Sequence, residues 1–234
     1  MGLREYSAIR ERREALGSTL GLDLSNTGNY SINEKTASLR NCENMIGVIQ
    51  VPLGIAGPLK IESDFLNREV YLPLATTEGA LVASVNRGCK AISLSGGTKV
   101  ISQKIGITRA PVFIVKNITE GKKLTDWVAA SFDKLKKITE ETSSHLRLLE
   151  IKPFSMGRNV FLRFRFDSQD AMGMNMATIA VTKAAEFIEK KTSAHLVAVS
   201  GNMCVDKKSS FLNFIEGRGY CVSAEALIPQ NIVE

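Results

Sequence analysis

The segment Asn159 to Phe166 alternates strictly, with Val160, Leu162, Phe164 and Phe166 opposed to Phe161, Arg163 and Arg165. Successive side chains of a strand point to opposite faces, so this segment is predicted to set one face on a core and turn the other toward polar groups. Its surroundings narrow the fold further. Pro111 to Lys116 alternates as a strand; Leu124, Trp127, Val128, Leu135 and Ile138 recur at helical spacing; Arg147 to Lys152 reads as a short strand. Beyond the alternating segment, Ala177, Ala180, Val181, Ala184, Phe187 and Ile188 mark an amphipathic helix, and His195 to Val199 a last strand. The order β-α-β-β-α-β is the ferredoxin-like split pattern. The expected fold is therefore α+β, with a ferredoxin-like module over residues 111–198 inserted into a larger α/β domain contributed by residues 43–110 and 199–234.

The flanking sequence is less regular. Residues 4–17 read as a charged helix stopped by Gly17, within an N-terminal segment 1–42, and the polar stretch Asn26 to Asn29 as a loop. From Glu43 to Leu59, glycine and proline recur too often for one long element, which predicts short buried strands joined by tight turns. Glu69 to Ala75 reads as a strand and Thr77 to Leu94 as a helix ending at Gly96-Gly97.

With 44% hydrophobic and 23% charged residues, the composition is that of a globular protein. No apolar run reaches the roughly 18 residues of a membrane helix, and the N-terminus lacks a signal-peptide core, so a cytoplasmic protein is expected. The four cysteines, at 42, 89, 204 and 221, form no CxxC pair or zinc spacing, which predicts free thiols and no metal. The net charge of +6 suits nucleic acid or a polyphosphate ligand.

Three segments carry chemistry. Ser200 to Lys208 (Ser-Gly-Asn-Met-Cys-Val-Asp-Lys-Lys) leaves the last strand through a Gly-Asn turn and ends in an acid and two adjacent ammonium groups, which suits a carboxylate or a polarised carbonyl. Asp170 to Met176 (Asp-Ala-Met-Gly-Met-Asn-Met) joins a strand to a helix, where free backbone N–H groups favour an anion. Leu74 to Gly88 places Glu78 at a predicted helix start; Ser84 and Arg87 share one helix face, able to hold a phosphate together. No GxGxxG or P-loop spacing occurs.

Four blocks together carry a family likeness: ENMIGVIQVPLGIAGPL from Glu43, LPLATTEGALVASVNRGCKAI from Leu72, GRNVFLRF with DAMGMNM between Gly157 and Met176, and AVSGNMCVDKKSSFLNFIEGRGYCVSAEALIP from Ala198. From about residue 40 onward the chain resembles the catalytic domain of hydroxymethylglutaryl-CoA reductases, in the wording of the NADPH-using class I. The resemblance implies reduction of HMG-CoA to mevalonate and CoA with two NADPH and no metal, in the mevalonate route to isoprenoids. It implies that Lys207 stabilises the oxyanion and Glu78 donates a proton. Asp206 would orient Lys207, while Ser200, Asn202, Lys208 and Arg109 hold the hydroxymethylglutaryl end. Ser84, Asn86 and Arg87 match positions that contact CoA; Asp170, Met172, Gly173, Met174 and Asn175 match the nicotinamide-cofactor loop, in the small cofactor domain. Glu43 to Gly47 matches a homodimer contact.

Two departures stand out. Where NADPH-preferring members often carry an arginine for the 2′-phosphate, this chain has Ser143, Ser144 and His145, with Arg147 nearby. The family domain also continues into an Asp-Ala-Ala-Gln-Asn-like motif and a late histidine that this sequence does not contain, so the chain by itself is expected to be inactive. An alternative from another class is a non-catalytic CoA- and nucleotide-binding subunit that needs a second chain. RNA recognition, which the β-α-β-β-α-β order also permits, fails because Arg158, Asn159 and Val160 stand where an aromatic and glycines are required.

Overall fold

A computed structural model describes residues 5–233; Arg4, where the first predicted helix begins, and Glu234 lie outside them. The fold is mixed α+β with a mixed sheet, and the chain divides into two compact units. One holds the N-terminal residues through Lys60, Arg68–Gly97 and the segment from Leu227; the other holds Ile61–Asn67 and Thr98–Ala226.

In the first unit, α1 spans Ile9–Leu20 rather than stopping at Gly17. Gly17 sits inside the helix, and the left-handed Gly21 (φ 65°) closes it by donating its N–H to Gly17 O. A glycine can be carried within a helix at modest cost, whereas the left-handed closing position favours one strongly. A 3-10 turn, Ser25–Gly28, takes the place of part of the expected loop, and α2 (Glu34–Arg40), capped by the Asn33 side chain, was not anticipated. Ile9, Ala37 and Met45 form a small buried cluster with Tyr30 and Val48 against it. Arg12 and Arg13 of α1 donate to the carbonyls of Met45 and Ile46 at 2.9 and 3.0 Å, pinning the Glu43–Gly47 segment.

The short buried strands expected over 43–59 are not found. The chain is irregular to Pro52 and then forms one long strand, β1 (Leu53–Ser63), half-buried or exposed except at Ala56 and neighbouring β2 (Asn67–Ala75). The following helix, α3, spans Leu81–Leu94, so it begins later than the sequence suggested. Its Asn86 and Ser93 side chains accept the N–H groups of Gly57 and Lys60, giving these strand donors a partner that a sheet neighbour would otherwise supply.

The second unit is organised on β6 (Asn159–Asp167). Along one side it pairs with β5 (Arg147–Met156); on the other it pairs with the end of β3 (Thr98–Arg109) and with β4 (Val112–Ile114), and β4 pairs in turn with β7 (His195–Ala198). All these pairings are antiparallel, so the strands lie in the order β5, β6, β4, β7. Helices α4 (Ile118–Ala130), α5 (Phe132–Glu140) and α6 (Met174–Lys191) supply the rest of the core. Val160, Leu162, Phe164 and Phe166, the apolar set of the alternating segment, are fully buried against Ala177, Ala180, Val181, Ala184 and Ile188. Each such large side chain contributes about 1.5–3 kcal/mol over an exposed one, and the alanines let α6 approach the sheet closely.

Two boundaries differ from the sequence reading. The helical spacing across 124–138 belongs to two helices, because the chain breaks at Ser131 while the apolar phase carries on. The strand expected at Pro111 to Lys116 is reduced to three residues, β4. Two strands were unforeseen. β3 pairs with the end of β1 in parallel and with β8 (Gly219–Glu225) in antiparallel fashion before its last residues turn to β6. The turn comes at Gly106 (φ 96°), beside a bulge, where a Cβ would run into the Phe166 carbonyl.

Candidate active site

After β7 the chain runs through residues 199–210 into a short helix, α7 (Phe211–Glu216). Three non-glycine residues of this loop are left-handed: Asn202 (φ 68°), Val205 (φ 44°) and Lys207 (φ 54°). For a β-branched valine this is a costly conformation, of order 1–3 kcal/mol, and it persists only where the surroundings enforce it.

The enforcing contacts come from all around the loop. Gly201 N–H donates to Ala110 O at 2.7 Å, and a Cβ at Gly201 would lie 2.7 Å from the Phe161 ring. Thr108 Oγ1 donates to Cys204 O at 2.8 Å, and Arg163 Nε to Met203 O at 3.2 Å. Asn213 Nδ2 donates to both Val205 O and Lys208 O at 3.0 Å, clasping the residues on either side of Asp206 and Lys207. The Lys208 ammonium donates to Asn202 Oδ1. Lys207 itself is exposed. Asp206 pairs with Arg218, not with Lys207.

Cys204 gathers two of the expected substrate groups. Its sulfur lies 3.0 Å from Ser200 Oγ and 3.7 Å from Arg109 Nη1, which is 95 residues away in the chain. Burial pushes this thiol up, but the Ser200 hydroxyl, the Ala110 backbone and the Arg109 charge outweigh it and hold the thiol below its ordinary value.

The polar face of β6 lies behind the loop. Arg163 is only 3% exposed, and burial lowers its pKa; its Nη2 has no partner, nor has Nε of Arg109, Arg165 or Arg218. Arg165 pairs with Glu150 at 2.6 Å and Lys152 with Glu216 at 2.5 Å. Arg163 is the buried one of these four cations, while Arg109, Arg165 and Arg218 are half-buried.

The second cluster lies at the start of α6. Gly173 (φ 74°) caps the helix without a side-chain hydrogen bond, leaving first-turn N–H groups free for an anion. A Cβ at Gly173 would collide with Ser168 and reach Ile107 at 2.9 Å. Asp170, Met172 and Asn175 are exposed, while Met174 is buried in the core and Met176 packs against it. Ser143 comes to this cluster, its Oγ 3.3 Å from Met176 Sδ, and His145 Nδ1 lies 3.0 Å from Gln169 Oε1. Lys104 pairs with Asp167 at 2.6 Å; the hydrogen bond from Lys104, joined by the Gln169 N–H, holds the Asp167 carboxyl below its usual range.

The remaining expected residues belong to the first unit. Glu78 is exposed in a bend three residues before α3, not at the helix start, and its N–H bonds to Thr76 Oγ1 at 2.9 Å. The chain pauses there because Ala80, immediately before the helix, is left-handed (φ 64°). Ser84, Asn86 and Arg87 are exposed on α3, with Asn86 Oδ1 taken by Gly57 N–H.

A family model described as hydroxymethylglutaryl-coenzyme A reductase matches residues 8–234. The chain belongs to the hydroxymethylglutaryl-coenzyme A reductase family. It is similar to the 3-hydroxy-3-methylglutaryl-coenzyme A reductase of Haloferax volcanii, 47% identical over 97% of this chain and 56% of the relative, and to that of Methanothermobacter thermautotrophicus, 46% identical over 97% and 57%. The chain thus spans little more than half the length of these relatives. Among solved structures, a class II 3-hydroxy-3-methylglutaryl-CoA reductase from Streptococcus pneumoniae bound to NADPH aligns with a TM-score of 0.59 over 84% of this chain and 54% of its own, at 17% identity. That likeness is one of fold.

This member of the reductase family also builds its loop with residues that the sequence reading passed over: Arg163, Cys204, Asn213 and Arg218. Arg163 was visible as a charge in an alternating strand, and Arg218 as a charge between two glycines. Asn213 and Cys204 gave no signal of position, since their value comes from what the fold brings to them.

Proposed function

We propose that this chain forms the substrate- and cofactor-binding part of a class I hydroxymethylglutaryl-CoA reductase, carrying out the reductive deacylation of HMG-CoA to mevalonate and CoA. The observation that carries this reading is the convergence of Arg109 and Ser200 on the Cys204 sulfur, three residues before Lys207. It gathers groups suited to a carboxylate in the same loop that carries an exposed ammonium, Lys207, suited to a developing oxyanion. NADPH, two molecules per turnover, supplies the hydrides that take the thioester to an alcohol.

The residues divide the work. Lys207 stabilises negative charge on the thioester oxygen and later on the aldehyde oxygen. Arg109, Ser200, Asn202 and Lys208 hold the hydroxymethylglutaryl end; Ser84, Asn86 and Arg87 take CoA, with Asn86 keeping its Nδ2 donors free of the Gly57 bond. Glu78 is the proton donor. Asp170, Met172, Gly173, Met174, Asn175 and Ser143 fit a dinucleotide, because the uncapped start of α6 offers N–H donors beside exposed polar groups. The antiparallel order β5, β6, β4, β7 with α4 to α6 supports reading 111–198 as the ferredoxin-like cofactor domain. Homodimerisation through Glu43–Gly47 belongs to the same proposal.

The test is NADPH oxidation with HMG-CoA, measured at the full length of the family. Lys207→Ala should lower turnover at least about 10²-fold, the scale for losing one preorganised oxyanion partner. Turnover retained in that variant overturns the assignment of Lys207.

A further inference from the structure

Arg218 belongs to neither group of expected residues, yet it touches both. Its Nη2 donates to the Asp206 carboxylate and lies 3.6 Å from the Sδ of Met174, the first residue of α6. The side chain is held at 23% exposure, and its Nε is buried without a partner. Gly217 (φ 68°) and Gly219 (φ 70°) flank it, a backbone that favours glycine on both sides and aims the intervening side chain.

The pairing bears on Lys207. Asp206 is adjacent to Lys207, and a free carboxylate there would pair with the ammonium and neutralise it. With Asp206 committed to Arg218, the Lys207 charge remains available to an oxyanion. We propose that Arg218 is a positioning residue that draws the Asp206 carboxylate off Lys207 and, through Met174, ties the lysine loop to the start of the cofactor helix. Both contacts are made by the one Nη2, whose two N–H groups are held in fixed directions by the planar guanidinium; a lysine ammonium would keep the charge, but on a shorter, freely rotating stem that does not hold a donor at this place. The inference rests on the reductase reading of Lys207 and of the Asp170–Asn175 loop.

A double-mutant cycle in the full-length reductase tests it. Arg218→Lys should lower kcat about tenfold and raise KM for NADPH about threefold, with KM for HMG-CoA within twofold of wild type. Asp206→Asn should remove the partner, so that Asp206→Asn with Arg218→Lys falls in kcat no further than the worse single variant, within twofold. Losses in kcat that multiply overturn the inference, as does an Arg218→Lys protein with wild-type kcat and KM for NADPH. Arg218→Gln provides a second route to the same cycle, and an unchanged thermal midpoint separates positioning from loss of fold. Failure of the reductase reading has a different signature, since Lys207→Ala would then keep full turnover.

Discussion

The two faces of β6 are built from alternate residues of the same strand, and they do different work. Val160, Leu162, Phe164 and Phe166 are buried under the helices and need only contact, which is non-directional. Arg163 and Arg165 face the other way, where Arg163 holds the Met203 carbonyl, Arg165 meets Glu150, and guanidinium N–H groups are left over. The first face is complete in itself; the second leaves hydrogen-bond donors over. Stability and function can therefore be changed separately on one nine-residue strand.

Phe164→Ala should show the largest effect, a loss of about 3–5 kcal/mol in denaturant unfolding, as expected for a large buried aromatic. Arg163→Met should cost less, about 1–2 kcal/mol, because a buried cation is exchanged for a side chain of similar reach while one carbonyl loses its donor. Under the proposed reductase function its larger consequence should be at the site, with HMG-CoA affinity of the full-length protein reduced at least about tenfold by calorimetry. A stability loss equal to that of Phe164→Ala would break the comparison. The smallest effect is expected at Glu216, whose carboxyl is held below its usual range chiefly by the hydrogen bond from Lys152, and further by Arg163 and Arg165. A depressed folded pKa stabilises above the unfolded value of about 4.3 and loses that contribution as pH falls through the folded value. The advantage of wild type over Glu216→Gln should thus be under about 1 kcal/mol at pH 7 and should disappear as pH falls through the depressed folded value in parallel melts.

The sequence made one of these faces far easier to read than the other. The apolar positions of β6 and α6 stand out because burial imposes a period, 2 or 3.6, on the residues themselves. β3 escaped notice because Lys99, Gln103 and Lys104 interrupt any alternation, and the strand is stabilised by backbone pairing on both sides instead of by an apolar face. β8 is nearly all exposed, and α7, at six residues, is too short for a helical period to show. The motif wording identified Lys207, Ser200 and Arg109 as candidates; it could not reveal the contacts of Asp206, Asn213 or Arg218, which exist only once distant segments meet.

The pairing of β3 with β8 also orders events in time. The β5–β6 hairpin closes over the two residues between Met156 and Asn159, whereas Thr98 Oγ1 reaches Glu225 O across 127 residues. Closing the longer loop costs more entropy and is favoured only after the intervening sheet has shortened the path. The Lys207 loop lies between β7 and β8, so its left-handed residues can be drawn taut only when that last strand docks. A newly made chain would then possess the core around β6 well before the loop that carries Lys207 takes its final shape.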